Sequence, residues 1–250
     1  MIRPVPRRPA PIPRVPSLAL ALASALLPAA AVAGGPPAFT QLVRFGEGAT
    51  ICVAWADSDL DGDLDLAVGN TNNQQNLLCV NDGALGFPTQ SAFGLRSTFA
   101  LAWGDADNDG DPDMAVGNRG AANRLILNTG GNTFAGQSQF GLHSTIAMAW
   151  ADADLDGDLD LAVGNGILGT AEQNNLYVNN GDGTWTEQAQ FGLGQSCSIV
   201  WGDVDGDGDP DVAVGNGGFG FIGQNYLYIN NGDGTYTERA EFGLGDTASL

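Results

Sequence analysis

The sequence predicts an all-β fold assembled from repeated four-stranded antiparallel sheets, and three observations carry that prediction. A Phe-Gly pair recurs at Phe45, Phe93, Phe140, Phe191 and Phe242, giving a period of 48, 47, 51 and 51 residues. Within each repeat, large apolar residues alternate with small ones at a period of two, as in strands. Glycine is abundant, 37 of 250 residues, and only 15% of residues are charged, a composition of many tight turns and few solvated helical faces.

In chain order, residues 1–33 read as an export signal. Arg3, Arg7, Arg8 and Arg14 precede an apolar stretch from Leu18 to Ala33 that ends in Ala31, Val32 and Ala33, so cleavage is expected after Ala33. The stretch is Ala-rich and broken by Pro28, which disfavours a spanning helix. The mature chain is therefore expected to be secreted or at the cell surface, with no membrane insertion after signal removal.

Residues 34–250 carry the repeats, with units starting near the five Phe-Gly pairs. The first strand of each unit ends in Trp55, Trp103, Trp150 or Trp201. In it Ile51, Val53 and Trp55 alternate with Cys52, Ala54 and Ala56, a large face opposite a small one that would let a neighbouring sheet approach. A second strand is predicted over 66–69, 114–117, 161–164 and 212–215, and a third over 77–80, 125–127, 176–178 and 227–229. Turn sequences such as Asn180-Gly181-Asp182-Gly183 and Asn231-Gly232-Asp233-Gly234 announce a fourth, over 185–191 and 236–242. Four antiparallel strands in a unit of this length make a propeller blade, and the expected architecture is four full blades plus the start of a fifth. The longer third and fourth units contain four extra residues between the second and third strands, predicted as inserted loops over 166–175 and 217–226.

Between the first and second strands lies the acidic part of the chain. Of 29 acidic residues, 20 fall in four nine-residue windows reading D-x-D-x-D-G-D-x-D. They are Asp57, Asp59, Asp61, Asp63 and Asp65; Asp105, Asp107, Asp109, Asp111 and Asp113; Asp152, Asp154, Asp156, Asp158 and Asp160; and Asp203, Asp205, Asp207, Asp209 and Asp211. An acidic run is ordinarily a solvated face or a disordered tail, but this spacing and the flanking Val, Leu and Trp oppose both. Calcium takes six to eight oxygens, and carboxylates at positions 1, 3 and 5 converge on it only if the chain turns sharply afterwards, which Gly at position 6 permits. Position 7 would offer its main-chain carbonyl and position 9 would close the cage. Zinc would require His or Cys, which the windows lack, and magnesium prefers to keep its waters. About one calcium ion per repeat, four in all, is expected.

The windows differ from an EF-hand, because Asp at position 9 leads into a strand where an EF-hand has Glu at position 12 before a helix. Taken with Phe-Gly, the Trp strand and Val-Gly-Asn, they resemble the FG-GAP repeat of integrin α-subunit propellers and their bacterial relatives, the VCBS-type repeat proteins included, over residues 39–250. The resemblance implies a β-propeller with calcium in the hairpin between the first two strands of each blade, stiffening it, and ligands on the opposite face. Such propellers commonly have seven blades. Here four metal-bearing units precede Asp246 to Leu250, the start of a fifth, so a fragment of a larger ring is expected, with a closed four-bladed ring as the alternative.

The remaining composition narrows the function. The formal charge is −20, and loss of residues 1–33 with four Arg leaves 5 − 29 = −24. Without clustered cations beyond residue 14, nucleic acid is not an expected partner. Cys52, Cys79 and Cys197 are too few for a disulfide framework, and Cys52 and Cys197 read as small buried thiols. The single His143 has no evident nucleophilic partner, and the clustered carboxylates are better explained as metal ligands than as acids or bases, so no catalytic residue is assigned. The expected function is a calcium-binding extracellular binding, adhesion or scaffold module for a protein or glycan ligand. Alternatives are a calcium-dependent lectin, with Trp185 and Tyr236 as sugar platforms or as core, and an accessory module of an extracellular enzyme.

Overall fold

A computed structural model of the chain describes residues 48–245, apart from 84–85, 168 and 219–220. The expected export signal, Phe45 and the stretch 246–250 lie outside the described residues, as do Leu168 and Phe219 of the predicted loops. Strands β1 (Thr50–Ala56), β2 (Asp65–Asn70), β3 (Gln75–Val80) and β4 (Thr89–Leu95) pair antiparallel in sequence order. So do β5 (Thr98–Gly104), β6 (Asp113–Asn118), β7 (Asn123–Asn128) and β8 (Phe134–Phe140). The third sheet contains β9 (Thr145–Ala151), β10 (Asp160–Ile167), β11 (Thr170–Gln173), β12 (Asn175–Asn179), β13 (Trp185–Gln188) and β14 (Leu193–Gly194). The fourth is β15 (Ser196–Gly202), β16 (Asp211–Gly218), β17 (Phe221–Asn230) and β18 (Tyr236–Gly245). No helix occurs among the described residues, and the all-β, propeller-type architecture agrees with the sequence pattern.

Two sequence expectations change. The four extra residues do not form irregular loops; they lengthen a hairpin. Ile167 pairs with Thr170 in the third blade, and Gly217 with Ile222 in the fourth, past a register shift beginning at Val214. Continued pairing satisfies backbone groups that a loop would leave to solvent. The predicted strand over 185–191 ends at Gln188, and Phe191 is buried at 1% exposure.

The blades stack because each carries a large and a small face. The inner strands pack in succession, β1 on β5, β5 on β9 and β9 on β15. Trp103 Nε1 donates to the Ala54 carbonyl at 3.4 Å, Trp150 to Ala102 at 3.2 Å and Trp201 to Ala149 at 3.0 Å, so each indole lies on the small face of the preceding blade. That approach needs small residues: a Cβ added at Gly104 would lie 2.9 Å from Trp150 Cδ1. At the two flanks the same faces are uncovered. Val53 and Trp55 are 56% and 52% exposed, and around Gly202, the counterpart of Gly104, an added Cβ meets nothing within 4 Å.

A buried polar chain runs across all four blades at the opposite end of the sheets from the acidic loops. Thr98 Oγ1 accepts from Asn76 Nδ2 at 2.8 Å and donates to Asn118 Oδ1 at 2.9 Å, bridging two blades. Thr145 does the same between Asn123 and Asn165, and Ser196 between Asn174 and Asn216. These Asn residues are buried with their partners supplied, which makes the network a specific register device between blades.

Candidate functional site

Each acidic window forms the connection from the Trp strand to the next strand, and its backbone is shaped before any ion is considered. Gly62, Gly110, Gly157 and Gly208 at position 6 have φ of 98°, 97°, 101° and 102°, a region that L side chains avoid. Their N–H groups donate back to the position 1 carboxylate, from 3.0 Å at Asp57 to 3.2 Å at Asp203. Position 4 is also left-handed, at Leu60 (58°), Asn108 (58°), Leu155 (60°) and Gly206 (81°). The sequence offered no general signal for that, since Leu is not a residue associated with positive φ.

At position 3, Asp107, Asp154 and Asp205 each accept the position 5 N–H at 3.3 Å, and position 5 accepts the position 7 N–H, as in Asp63 N–H to Asp61 at 2.9 Å. Side-chain oxygens gather into four groups, each within 4.8 Å: Asp57, Asp59 and Asp61; Asp105, Asp107 and Asp113; Asp152, Asp154 and Asp160; and Asp203, Asp205 and Asp211. Asp65, Asp109, Asp156 and Asp207 lie in the same loops outside those tight sets. Asp63, Asp111, Asp158 and Asp209 also fall outside them, their carboxylates lying beside Gly83, Gly130, Gly181 and Gly232 of the following turns.

Position 9 has a second role that the spacing did not reveal. Asp65, Asp113, Asp160 and Asp211 are buried, and one oxygen of each accepts the position 2 N–H, at 3.1 Å from Ser58 and 2.7 Å from Ala106. The other accepts the N–H of Asn81, Asn128, Asn179 or Asn230 at 2.8 Å. Three of those Asn residues also tie blade to blade, while Asn81 Nδ2 donates to the Leu64 carbonyl of its own blade at 3.2 Å. Asn128 Nδ2 donates to the Ser58 carbonyl of the preceding loop at 2.7 Å, Asn179 to Ala106 at 2.9 Å and Asn230 to Ala153 at 2.8 Å. Further ties join Asn132 Nδ2 to Asp59 at 2.9 Å and Asn108 to Asp158. The signal available in the sequence was Asn one or two residues before each turn Gly.

The electrostatics favour a cation. Burial, then repulsion from neighbouring carboxylates, pushes Asp59, Asp107, Asp154 and Asp205 above the usual carboxylate range. Burial raises Asp113 and Asp160 to about 6 against the pull of two backbone N–H donors each. Asp59 Oδ1, Asp105 Oδ1 and Asp152 Oδ1 are buried without a hydrogen-bond partner. Orphaned carboxylate oxygens in an all-oxygen donor set fit a hard divalent cation.

A separate cleft of about 340 Å³ opens between the second and third blades, lined by Gln139, Phe140, Trp150, Tyr177, Trp185 and Glu187 among others. Trp150 and Trp185 lie 6.0 Å apart, and Glu187 accepts from Asn175 Nδ2 at 2.9 Å. At the next junction Phe191 packs on Trp201, Tyr228 and Tyr236, with ring centroids at 5.9, 5.7 and 5.3 Å. Trp185 and Tyr236 are both half-buried and packed against core clusters, and Trp185 also lines the cleft. His143 faces Glu172 at 3.7 Å. No disulfide joins Cys52, Cys79 and Cys197, and burial pushes the Cys52 thiol up to about 12, an unreactive state.

Comparison with known proteins places this geometry. A family model described as FG-GAP-like repeat matches residues 57–116, 105–163, 166–214 and 203–250, more than half of the chain. A crystal structure of BBS1N in complex with ARL6DN, soaked with lead, is similar at a TM-score of 0.50, with 14% identity over 80% of this chain and 57% of that one. A lectin of Agrocybe aegerita, described for specific recognition of non-reducing terminal N-acetylglucosamine, is similar at 0.49, with 17% identity over 75% of this chain and 52% of that one. The chain therefore spans about half the length of these solved structures, and at 14% identity the likeness to the BBS1N structure is one of fold. No curated protein matches the sequence.

Proposed function

We propose, for a chain that belongs to the family of FG-GAP-like repeat proteins, that it is an exported, non-catalytic binding module whose blades are stiffened by calcium. The observation that carries this reading is the placement of the acidic loops at the blade junctions, with orphaned carboxylate oxygens inside them. The carboxylates at positions 1 and 3 would hold the ion, joined by position 5 in the first loop and by position 9 in the other three, where position 9 also anchors the hairpin. Calcium, when bound, supplies the positive charge that offsets the mutual repulsion of each cluster. The rest is done by the chain: Gly157 turns the loop, Asp160 holds the hairpin base, and Asn179 transmits the loop's position to the preceding blade.

The test is thermal. At free calcium about tenfold above a Kd of ~10⁻⁴ M, each site adds about 1.4 kcal/mol, and four independent sites about 5 to 6 kcal/mol. Melting is expected to fall by many degrees in excess chelator. Coincident melting curves with calcium and with chelator would overturn the structural role.

A carbohydrate is the ligand class favoured by the cleft beside Trp185, where aromatic faces stand next to Gln139 and Glu187. Binding of the calcium-loaded protein to a glycan array, lost in Trp185→Ala at a temperature where that variant is still folded, is the expected result. An array with no signal would leave a protein ligand, or service beside an extracellular catalytic domain, as the function.

A further inference from the structure

A second cavity, of about 180 Å³, lies at the end of the sheets remote from the acidic loops and takes residues from the first three blades and from Gln195, the link from the third blade to the fourth. Ile51, Phe99 and Ile146 near the starts of β1, β5 and β9 line it with Ile167, Arg119 and Gln195. The wall is apolar apart from the last two. The Arg119 guanidinium sits 5.6 Å from the centroid of the Phe99 ring, and among the described residues no carboxylate pairs with it. Gln195 Oε1 accepts from Gly169 N–H at 3.1 Å, while its Nε2 is buried with no hydrogen-bond partner. An amide donor left unpaired in an apolar setting costs about 1–3 kcal/mol, so the cup holds one permanent cation and one unsatisfied donor with nothing to receive them.

We propose that this cup binds a small free carboxylic acid with a branched apolar tail, its carboxylate received by Arg119 and Gln195 and its tail by Phe99, Ile146 and Ile167. The volume is that of about six waters, which suits an acid of five or six carbons. Net acidity does not oppose the assignment. Arg119 follows the last residue of β6 and the acidic loop precedes its first, so the loops stand off by a strand length of about 20 Å, well beyond a Debye length of about 8 Å at physiological salt. The cup is distinct from the loops and from the Trp185 cleft, so its test does not depend on either.

Calorimetric titration of the full calcium-loaded chain with 4-methylpentanoate is expected to give a Kd of about 1 mM, reasonable for a ligand of that size. Arg119→Gln should weaken binding at least about tenfold, the usual scale for one charged hydrogen-bonding partner. Ile146→Trp, which fills the cup, should abolish it, and both variants should keep the calcium-dependent melting of the parent. Equal binding of 4-methylpentan-1-amine or the corresponding alcohol would overturn the proposal. So would unchanged affinity in Arg119→Gln and Ile146→Trp, or no heat with the acid. Binding confined to a Leu-terminated peptide would overturn the assignment to a free acid.

Discussion

Glycine serves two separate purposes in these blades, and substitution separates them. Gly157 has φ of 101° with open space around its missing Cβ, so only its backbone conformation is at stake. Gly117 has an ordinary backbone, but an added Cβ would lie 2.7 Å from Thr145 Cγ2 and 2.8 Å from Met148 Sδ in the next blade. Gly157→Ala is expected to cost about 1–2 kcal/mol and to weaken calcium binding, because the loop itself is strained. Gly117→Ala is expected to cost about 1–3 kcal/mol by overpacking while leaving the third loop's calcium affinity unchanged. Urea unfolding with and without calcium, beside calcium titrations, distinguishes the two outcomes. The need for Gly157 was legible because a cage of Asp at alternate positions must turn there. The left-handed Leu155 was not, because nothing local in a Leu announces positive φ.

At the scale of the element, the hairpin carrying each loop is governed by its position 9 Asp. Asp160 receives Ala153 N–H and Asn179 N–H at 2.8 Å each, joining the loop entry, β10 and the end of β12. Burial raises Asp113 and Asp160 from 3.8 to about 6. Between those values the folded state binds more protons than the unfolded chain, so these groups lower stability as pH rises from about 4 to about 6. In chelator, melting should therefore be higher near pH 5 than near pH 7.5. Saturating calcium favours the charged carboxylates and should remove or reverse that slope, which a melting series across pH in both conditions measures. The spacing of the five Asp residues was legible. The double anchoring was not, because Asn179 and Asp160 are brought together only by pairing of β10 with β12.

For the whole molecule, stacking decides what equivalent residues are worth. Trp150 lies on the second blade and donates to Ala102, while Trp55, at the same place in its repeat, is half exposed beside Phe87. Trp150→Ala should cost about 3 kcal/mol or more, and Trp55→Ala no more than about 1 kcal/mol, in parallel denaturant titrations. Sequence periodicity cannot separate the two, since it describes a residue's place in its own repeat and not what covers it.

The amino-acid sequence by itself determined the repeat, the strand order within a blade and the acidic loops, because each follows from local spacing: period-two alternation, turn glycines and Asp residues at alternate positions. Only the tertiary structure decided that the extra residues lengthen a hairpin, that Phe191 fills one blade junction while a cleft opens beside Phe140 at another, and that Arg119 and Gln195 meet in one apolar cup. The last two outcomes depend on contacts between different blades, whose geometry is settled by how neighbouring blades pack and not by any single repeat.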